Sequence, residues 1–254
     1  MGTQTHSIST PSTWADKVVC WCVRHWLVLL LTTMLLFVIF PFLAPAAMAV
    51  GWTGVGDLIY WLYTPFCHQL PQRSWFLFGD KLTYTIDEIN YVFPYHDAWN
   101  LRRFYGTPVM GWKVAWSDRM ISFYTMTPIF GVLYAFLRRA DRWVKPMSLR
   151  VLFLALMPMS LDAFAHLLND IVAGDYVSGF RDTNSWLTRL TANAFPGFYT
   201  GDQLGTFNWW TRLLTGILAA WGVAFTVFPF FNKIIGEEVQ RYCDTGGKIT
   251  RAPS

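Results

Sequence analysis

Four stretches of the chain stay apolar long enough to cross a bilayer, which takes about 20 residues. The first, "HWLVLLLTTMLLFVIFPFLAPAAMAV", runs from His25 to Val50 with no charge after its opening histidine. The second runs from Met120 to Leu137 and the third from Leu149 to Gly174, whose second half turns polar. The fourth runs from Trp209 to Phe231. A shorter apolar segment, Val55 to Phe66, is too brief to span. It reads as an interfacial or re-entrant helix, capped by Gly56-Asp57 and stopped at Pro65. The pattern predicts an all-α fold: a polytopic membrane helix bundle of about four transmembrane helices, one short interfacial helix and a long outer loop.

The polar positions inside the spans carry more information than the apolar ones. A charge in hydrocarbon costs at least ~2.5 kcal/mol on insertion scales, so it faces the bundle interior. Span three carries Asp162, His166 and Asn169-Asp170, on one helical face. Span four carries Asn208, Arg212 and Thr215, again on one face, with Gly216 beside them. Span two opens with Asp118-Arg119 and continues with Ser122 and Thr125. All three stripes fall in the same half of the membrane. Their convergence predicts a polar chamber open to the extracytoplasmic side and roofed by the outer loops. The plainer alternative is a structural lock, in which Asp162 pairs with Arg212 or Arg119 and the amides and hydroxyls bridge helices.

Composition supports the membrane assignment. Hydrophobic residues make up 54% of the chain and charged ones only 14%, where a soluble domain carries roughly 25% charged. Fourteen tryptophans suit membrane interfaces. The net charge of +4 calls for no nucleic-acid partner, because the basic residues flank apolar segments. Lys17 and Arg24 precede span one. Arg138, Arg139, Arg142, Lys145 and Arg150 join spans two and three, and Lys233, Arg241, Lys248 and Arg251 follow span four. With four crossings these groups share one side, which the positive-inside rule makes cytoplasmic. The expected organisation is a cytoplasmic segment 1–24, a bundle 25–231 with extracytoplasmic loops 51–118 and 175–207, and a cytoplasmic tail 232–254. The expected location is a prokaryotic cell membrane with both termini inside. Ala47-Met48-Ala49 offers a signal-peptidase site, but the long preceding region and long apolar run weigh against cleavage.

The chemistry concentrates in "TPFCHQLPQRSWFLFG", Thr64 to Gly79. Cys20, Cys22 and Cys243 fall on the expected reducing side and read as unpaired structural thiols. Cys67 alone falls outside, where a lone thiol is more often a small buried hydrophobe than a nucleophile. Cys67, His68, Asp162 and His166 together hold the donor atoms for zinc or another divalent metal, with Asp162 and His166 well spaced at i, i+4. Arg73, Arg119 and Arg212 point elsewhere. Guanidinium forks suit phosphate or carboxylate, so an anionic lipid or lipid-linked ligand from the outer leaflet is the other candidate, with Asn208 and Thr215 among its contacts.

These motifs resemble the uncharacterised integral membrane proteins of domain-of-unknown-function family 2085. That family has a Cys-His-Gln followed by Arg-Ser, matched here by Cys67, His68, Gln69, Arg73 and Ser74. Its Asn-x-x-x-Arg-x-x-Thr-Gly is matched by Asn208, Arg212, Thr215 and Gly216. Its Cys-x-Arg-Cys reads Ser117-Asp118-Arg119-Met120 here, and its Asp-Gly-x-x-Gln reads Asp162-Ala163 with His166 in place of Gln. A segment of about thirty residues, roughly Lys81 to Trp112, looks inserted relative to the family. The resemblance implies an architecture and a site, but no reaction. Three function classes stay open: an enzyme acting on a lipid-linked or amphipathic substrate, a binder or carrier of one, and a structural or assembly subunit of a larger membrane complex. No Gly-rich phosphate loop and no nucleophile elbow occurs.

Overall fold

The computed structural model describes residues 13–140 and 144–244, with the backbone alone for 237–242 and 244. Among the basic residues used above for orientation, Arg142, Lys248 and Arg251 lie outside the described residues, as does the side chain of Arg241.

Helix α1 (Trp14–Arg24) begins with a capping box. The Thr13 hydroxyl accepts from the Asp16 amide at 3.2 Å and the Asp16 carboxylate accepts from the Thr13 amide at 3.0 Å, so each end of the pair satisfies an orphan donor. After a break at His25, α2 (Trp26–Ala49) runs for 24 residues, enough at 1.5 Å per residue to cross a hydrocarbon core of about 30 Å. Helix α3 (Thr53–Tyr63) folds back against it. A Cβ on Gly56 would sit 2.4 Å from the Met48 sulfur, so a larger residue here would have to displace the Met48 side chain. The helix starts earlier than Gly56-Asp57, and its N-cap is Trp52 with no side-chain cap bond.

The segment after α3 departs from the all-α expectation. A 3-10 turn (Pro71–Arg73) leads into β1 (Ser74–Leu77). Helices α4 (Ile86–Val92) and α5 (Ala98–Leu101) follow, then β2 (Gly106–Thr107) and β3 (Gly111–Ser117). The strands form an antiparallel sheet in the order β1-β3-β2. Strands of two to seven residues give too little alternation to stand out. The apparent insertion is thus a folded cap, with its own core of Leu70, Phe76, Tyr84, Ile89, Leu101, Phe104, Met110 and Tyr176.

Strand β3 passes straight into α6 (Asp118–Arg139), which returns across the bundle. Helix α7 (Leu149–Ala173) crosses again and stops at Gly174, whose φ of 72° supplies the left-handed C-cap. The second loop holds α8 (Phe180–Thr183) and α9 (Ser185–Leu190). The long α10 (Phe207–Asp244) packs against both α6 and α7. A Cβ on Gly216 would lie 2.1 Å from the Ser122 hydroxyl, which explains glycine at this crossing.

Among the described residues four helices are long and apolar enough to cross a membrane: Trp26–Ala49, Asp118–Arg139, Leu149–Ala173 and Phe207–Gly236. Their apolar side chains lie largely on the outside, as expected of surfaces that face lipid. Both loops sit at one end of the bundle, where the Thr83 hydroxyl of the first accepts from the Leu204 amide of the second at 3.0 Å. Four crossings then bring α1 and the end of α10 to the opposite end.

That opposite end overturns one expectation. Cys20 and Cys243 are joined as a disulfide, 223 residues apart in sequence, because α1 packs on the end of α10. Cys22 and Cys67 are free, and Cys67 is buried.

Candidate functional site

The polar stripes converge where the bundle meets the cap, and they do so as an ion-pair network. Asp202, on the loop before α10, is its hub. One oxygen accepts from Arg73 Nε at 2.7 Å and the other from Arg212 Nη1. Arg73 reaches on to Asp170 with both Nη atoms, each at 2.8 Å. Arg212 holds both Asp118 oxygens through Nε, at 2.8 and 2.9 Å, and its Nη2 donates to the Asp202 carbonyl at 2.6 Å. Burial raises the cost of charging Asp202, but Arg73 and Arg212 outweigh it and hold the carboxyl far below the usual carboxylate range. Burial likewise opposes charge on Arg73, and Asp202 and Asp170 overcome it.

A second branch begins next door. The Arg119 amide donates to Asp118 at 2.8 Å, and the Arg119 side chain pairs with Asp162 at 2.6 Å. The other Asp162 oxygen takes Arg181 at 2.6 Å. Arg181 also approaches His166 Nε2 and the Thr211 hydroxyl, both at 3.2 Å. A guanidinium only donates, so His166 Nε2 accepts, and the proton of the neutral ring belongs on Nδ1. Nδ1 is buried and has no partner among the described residues. Asn169 accepts from the Arg181 amide at 2.7 Å and donates to Asp182 at 2.8 Å. Asn208 ties the loop down by donating to the carbonyls of Arg181 at 2.7 Å and Gly201 at 3.0 Å.

The network alternates in sign. Four guanidiniums, on Arg73, Arg119, Arg181 and Arg212, face four carboxylates, on Asp118, Asp162, Asp170 and Asp202. Each arginine is already committed. Of the expected pairings Asp162 does meet Arg119, whereas Arg212 goes to Asp118 and Asp202.

Of the residues singled out from sequence, Arg73, Arg119, Asp162, His166, Asn208 and Arg212 come together here. Thr215 is turned into its own helix, donating to the Thr211 carbonyl at 2.6 Å. Cys67 sits in an apolar cluster with Tyr63, Trp116 and Ile121, its sulfur accepting from the amides of Gln69 and Ser117 at 3.4 and 3.2 Å. His68, the next residue, is exposed. Among the described residues no three His, Cys, Asp or Glu side chains gather as metal ligands. Cys67, His68, Asp162 and His166 do not gather as one coordination set, and the Cys67 thiol is buried while the adjacent His68 is exposed.

Sequence reading did not single out Asp202, Arg181 and Asp182. They lie on a non-periodic loop, where no stripe marks an inward residue. It also passed over Lys113, which is fully buried on β3. Its ammonium donates to the carbonyls of Gln69 at 2.7 Å and Arg102 at 2.6 Å. The Tyr105 and Tyr60 rings lie 5.4 and 6.0 Å away. Burial brings its pKa down to about 7, with Cys67 partly opposing.

A cavity of ≈ 190 Å³ opens between the two loops, with Asp202 at its base. Gln72, Asp87, Tyr176, Asp182 and Gln203 are also in its wall.

The comparisons with known proteins are sparse. No family model matches the chain. It is 23% identical over 217 residues to an uncharacterised protein of Methanocaldococcus jannaschii, MJ1492, covering 84% of this chain and 96% of that protein. No solved structure matches. The relative carries no stated activity.

Proposed function

We propose that this chain is a multi-pass membrane protein that binds a small polar or lipid-linked molecule at the extracytoplasmic end of its bundle. The observation behind this reading is the buried network of Arg73, Asp202, Arg212 and Asp118, continuous with Asp162, Arg181 and His166. Burying so many charges costs several kcal/mol per ion unless geometry is excellent, and intramembrane ionisable groups are by default functional. The network acts as a rigid floor that fixes both loops, leaving the space between them as the binding volume. An anionic ligand is the less favoured variant, because it must compete with a carboxylate already seated on each guanidinium. Enzyme and carrier share this geometry. Only an enzyme needs an acid or base, and within the network His166 has a ring nitrogen with no partner among the described residues.

A structural or assembly subunit is the second reading. It is favoured by the closed charge balance and by exposed apolar side chains on the cap: Tyr91, Trp99 and Val109 are 91%, 63% and 70% exposed.

Native mass spectrometry of protein extracted in mild detergent separates the two readings. A bound mass of a few hundred daltons or less, lost in Asp202→Asn, is the outcome expected of the binding protein. Copurification of a stoichiometric partner chain, with no small adduct, would replace that reading with the assembly role.

A further inference from the structure

We propose that the cavity between the loops takes a small organic ammonium, either a free amine or the head group of a lipid. This rests on the reading that the extracytoplasmic end binds a small molecule, and it names the chemistry of that molecule.

The wall of the cavity is acidic and aromatic, and contains no lysine or arginine. Asp202 at its base is neutralised by Arg73 and Arg212, but Asp182 is not. One oxygen of Asp182 accepts from the Asn169 amide group at 2.8 Å and from the Gly179 amide at 3.1 Å. Among the described residues its other oxygen accepts nothing, although the residue is only 3% exposed. Burial pushes this carboxyl above its usual range, the Asn169 hydrogen bond offsets part of that, and the charge of Asp202 adds to it. A cation in the cavity relieves that repulsion. Asp87, on the first turn of α4, adds negative charge at the rim.

Gln72 is an independent sign that the cavity is built for an occupant. It is 3% exposed, it lines the cavity, and among the described residues neither its amide nitrogen nor its oxygen has a hydrogen-bond partner. An unsatisfied buried amide is costly in a native fold. A ligand with a donor, such as an ammonium N–H or a neighbouring hydroxyl, satisfies the oxygen. Tyr176 supplies a ring in the same wall, and ammonium ions favour aromatic faces. The cavity is small, ≈ 190 Å³, so small ammonium compounds such as ethanolamine and choline are the probes of choice.

The experiment titrates purified wild-type protein in detergent with ethanolamine, choline, the uncharged choline isostere 3,3-dimethylbutanol, and inorganic phosphate. Isothermal calorimetry and thermal melting are the readouts. Binding of an ammonium probe is expected, with the isostere at least about tenfold weaker. Gln72→Leu and Asp182→Asn should each weaken ammonium binding about tenfold. Asp87→Asn, at an exposed position, is a milder variant that keeps the fold, and should weaken it about twofold at low salt. Ammonium affinity unchanged by all three variants overturns the cavity. Equal binding of the isostere, or binding of phosphate alone, overturns the ammonium chemistry and leaves the extracytoplasmic binding reading standing. No binding of any probe, with a small adduct still present by native mass spectrometry, does the same. Nanodiscs with ethanolamine head groups in place of glycerol ones distinguish the two sources: competition with soluble ethanolamine there identifies the lipid.

Discussion

Arg73 grips Asp170 with two Nη atoms at 2.8 Å and Asp202 with Nε at 2.7 Å, so a single guanidinium ties the first loop to the end of α7 and to the second loop. Asp202 divides its two oxygens between Arg73 and Arg212, and its side chain is only 6% exposed. Removing its charge strands two buried cations at once. Breaking a buried pair costs roughly 3–5 kcal/mol. We expect Asp202→Asn to lower unfolding stability in detergent by that order, and by more than Asp170→Asn, whose carboxylate is 15% exposed and serves one arginine. Thermal melting of the two variants checks it; equal losses would mean Asp202 is not the hub.

The partner choice within the bundle makes a separate prediction. Arg212 holds Asp118 at 2.8 Å, while Asp162 is held by Arg119 and Arg181 at 2.6 Å each. Contacting residues couple by 0.5–3 kcal/mol and separated ones add within about 0.5. A double-mutant cycle on Asp118→Asn and Arg212→Gln should therefore show strong coupling. The cycle on Asp162→Asn and Arg212→Gln, which share the network but no direct contact, should show clearly weaker coupling. Reversal of that order contradicts the pairing.

Lys113 gives a pH signature. Its folded pKa is about 7 against 10.5 for a free lysine, because burial disfavours the ammonium. The unfolded chain therefore binds more protons between those values, and stability rises with pH there. Below pH 7 both states are protonated and the penalty is constant. The slope contributed by one proton is at most about 1.4 kcal/mol per pH unit. Lys113→Met should flatten the melting profile between pH 7 and 10, whatever its effect on absolute stability. An unchanged slope would mean that Lys113 stays charged in the folded protein.

How far the sequence discloses this site depends on periodicity. Asp162, His166 and Asn169 share a helical face, so their inward direction was legible from spacing alone. Asn208 and Arg212 were legible in the same way. Thr215 shares their face but satisfies its hydroxyl on its own helix, a choice the spacing does not disclose. Cys67 and His68 are adjacent, yet Cys67 packs into an apolar cluster while His68 is exposed, a split that spacing does not disclose. Asp202 lies on irregular backbone and Arg181 on the four-residue α8, both too short for a periodic stripe, and their roles depend on contacts 10 to 129 residues away. The spans were readable to within a few residues at their starts, while α10 continues well beyond Phe231 because its later turns pack on α1 rather than in lipid.

The Cys20–Cys243 pair sets two rules against each other, and the outcome fixes the orientation of the whole site. Both cysteines lie at the end of the bundle that carries Arg138, Arg139, Lys145, Arg150 and Lys233, opposite the cap. Positive charge in short flanks marks the cytoplasmic side. Disulfides mark oxidising compartments. The charges act during insertion, before α1 and the end of α10 can meet, so orientation should follow the charges. A reporter fused after Arg139 should read cytoplasmic and one fused after Asp182 should read outside. The bond should then be open in cells with a reducing cytoplasm and should close on air oxidation of the purified protein. Because it encloses a very long loop, closing it should add roughly 3–5 kcal/mol of stability, and Cys20→Ser should remove that gain. Thiol trapping before lysis, followed by melting of oxidised and reduced protein, measures both parts. If the fusion after Asp182 reads cytoplasmic, the disulfide end faces outward, and the cavity with Gln72 and Asp182 faces the cell interior. Its ligand would then come from the cytosol and not from the outer leaflet.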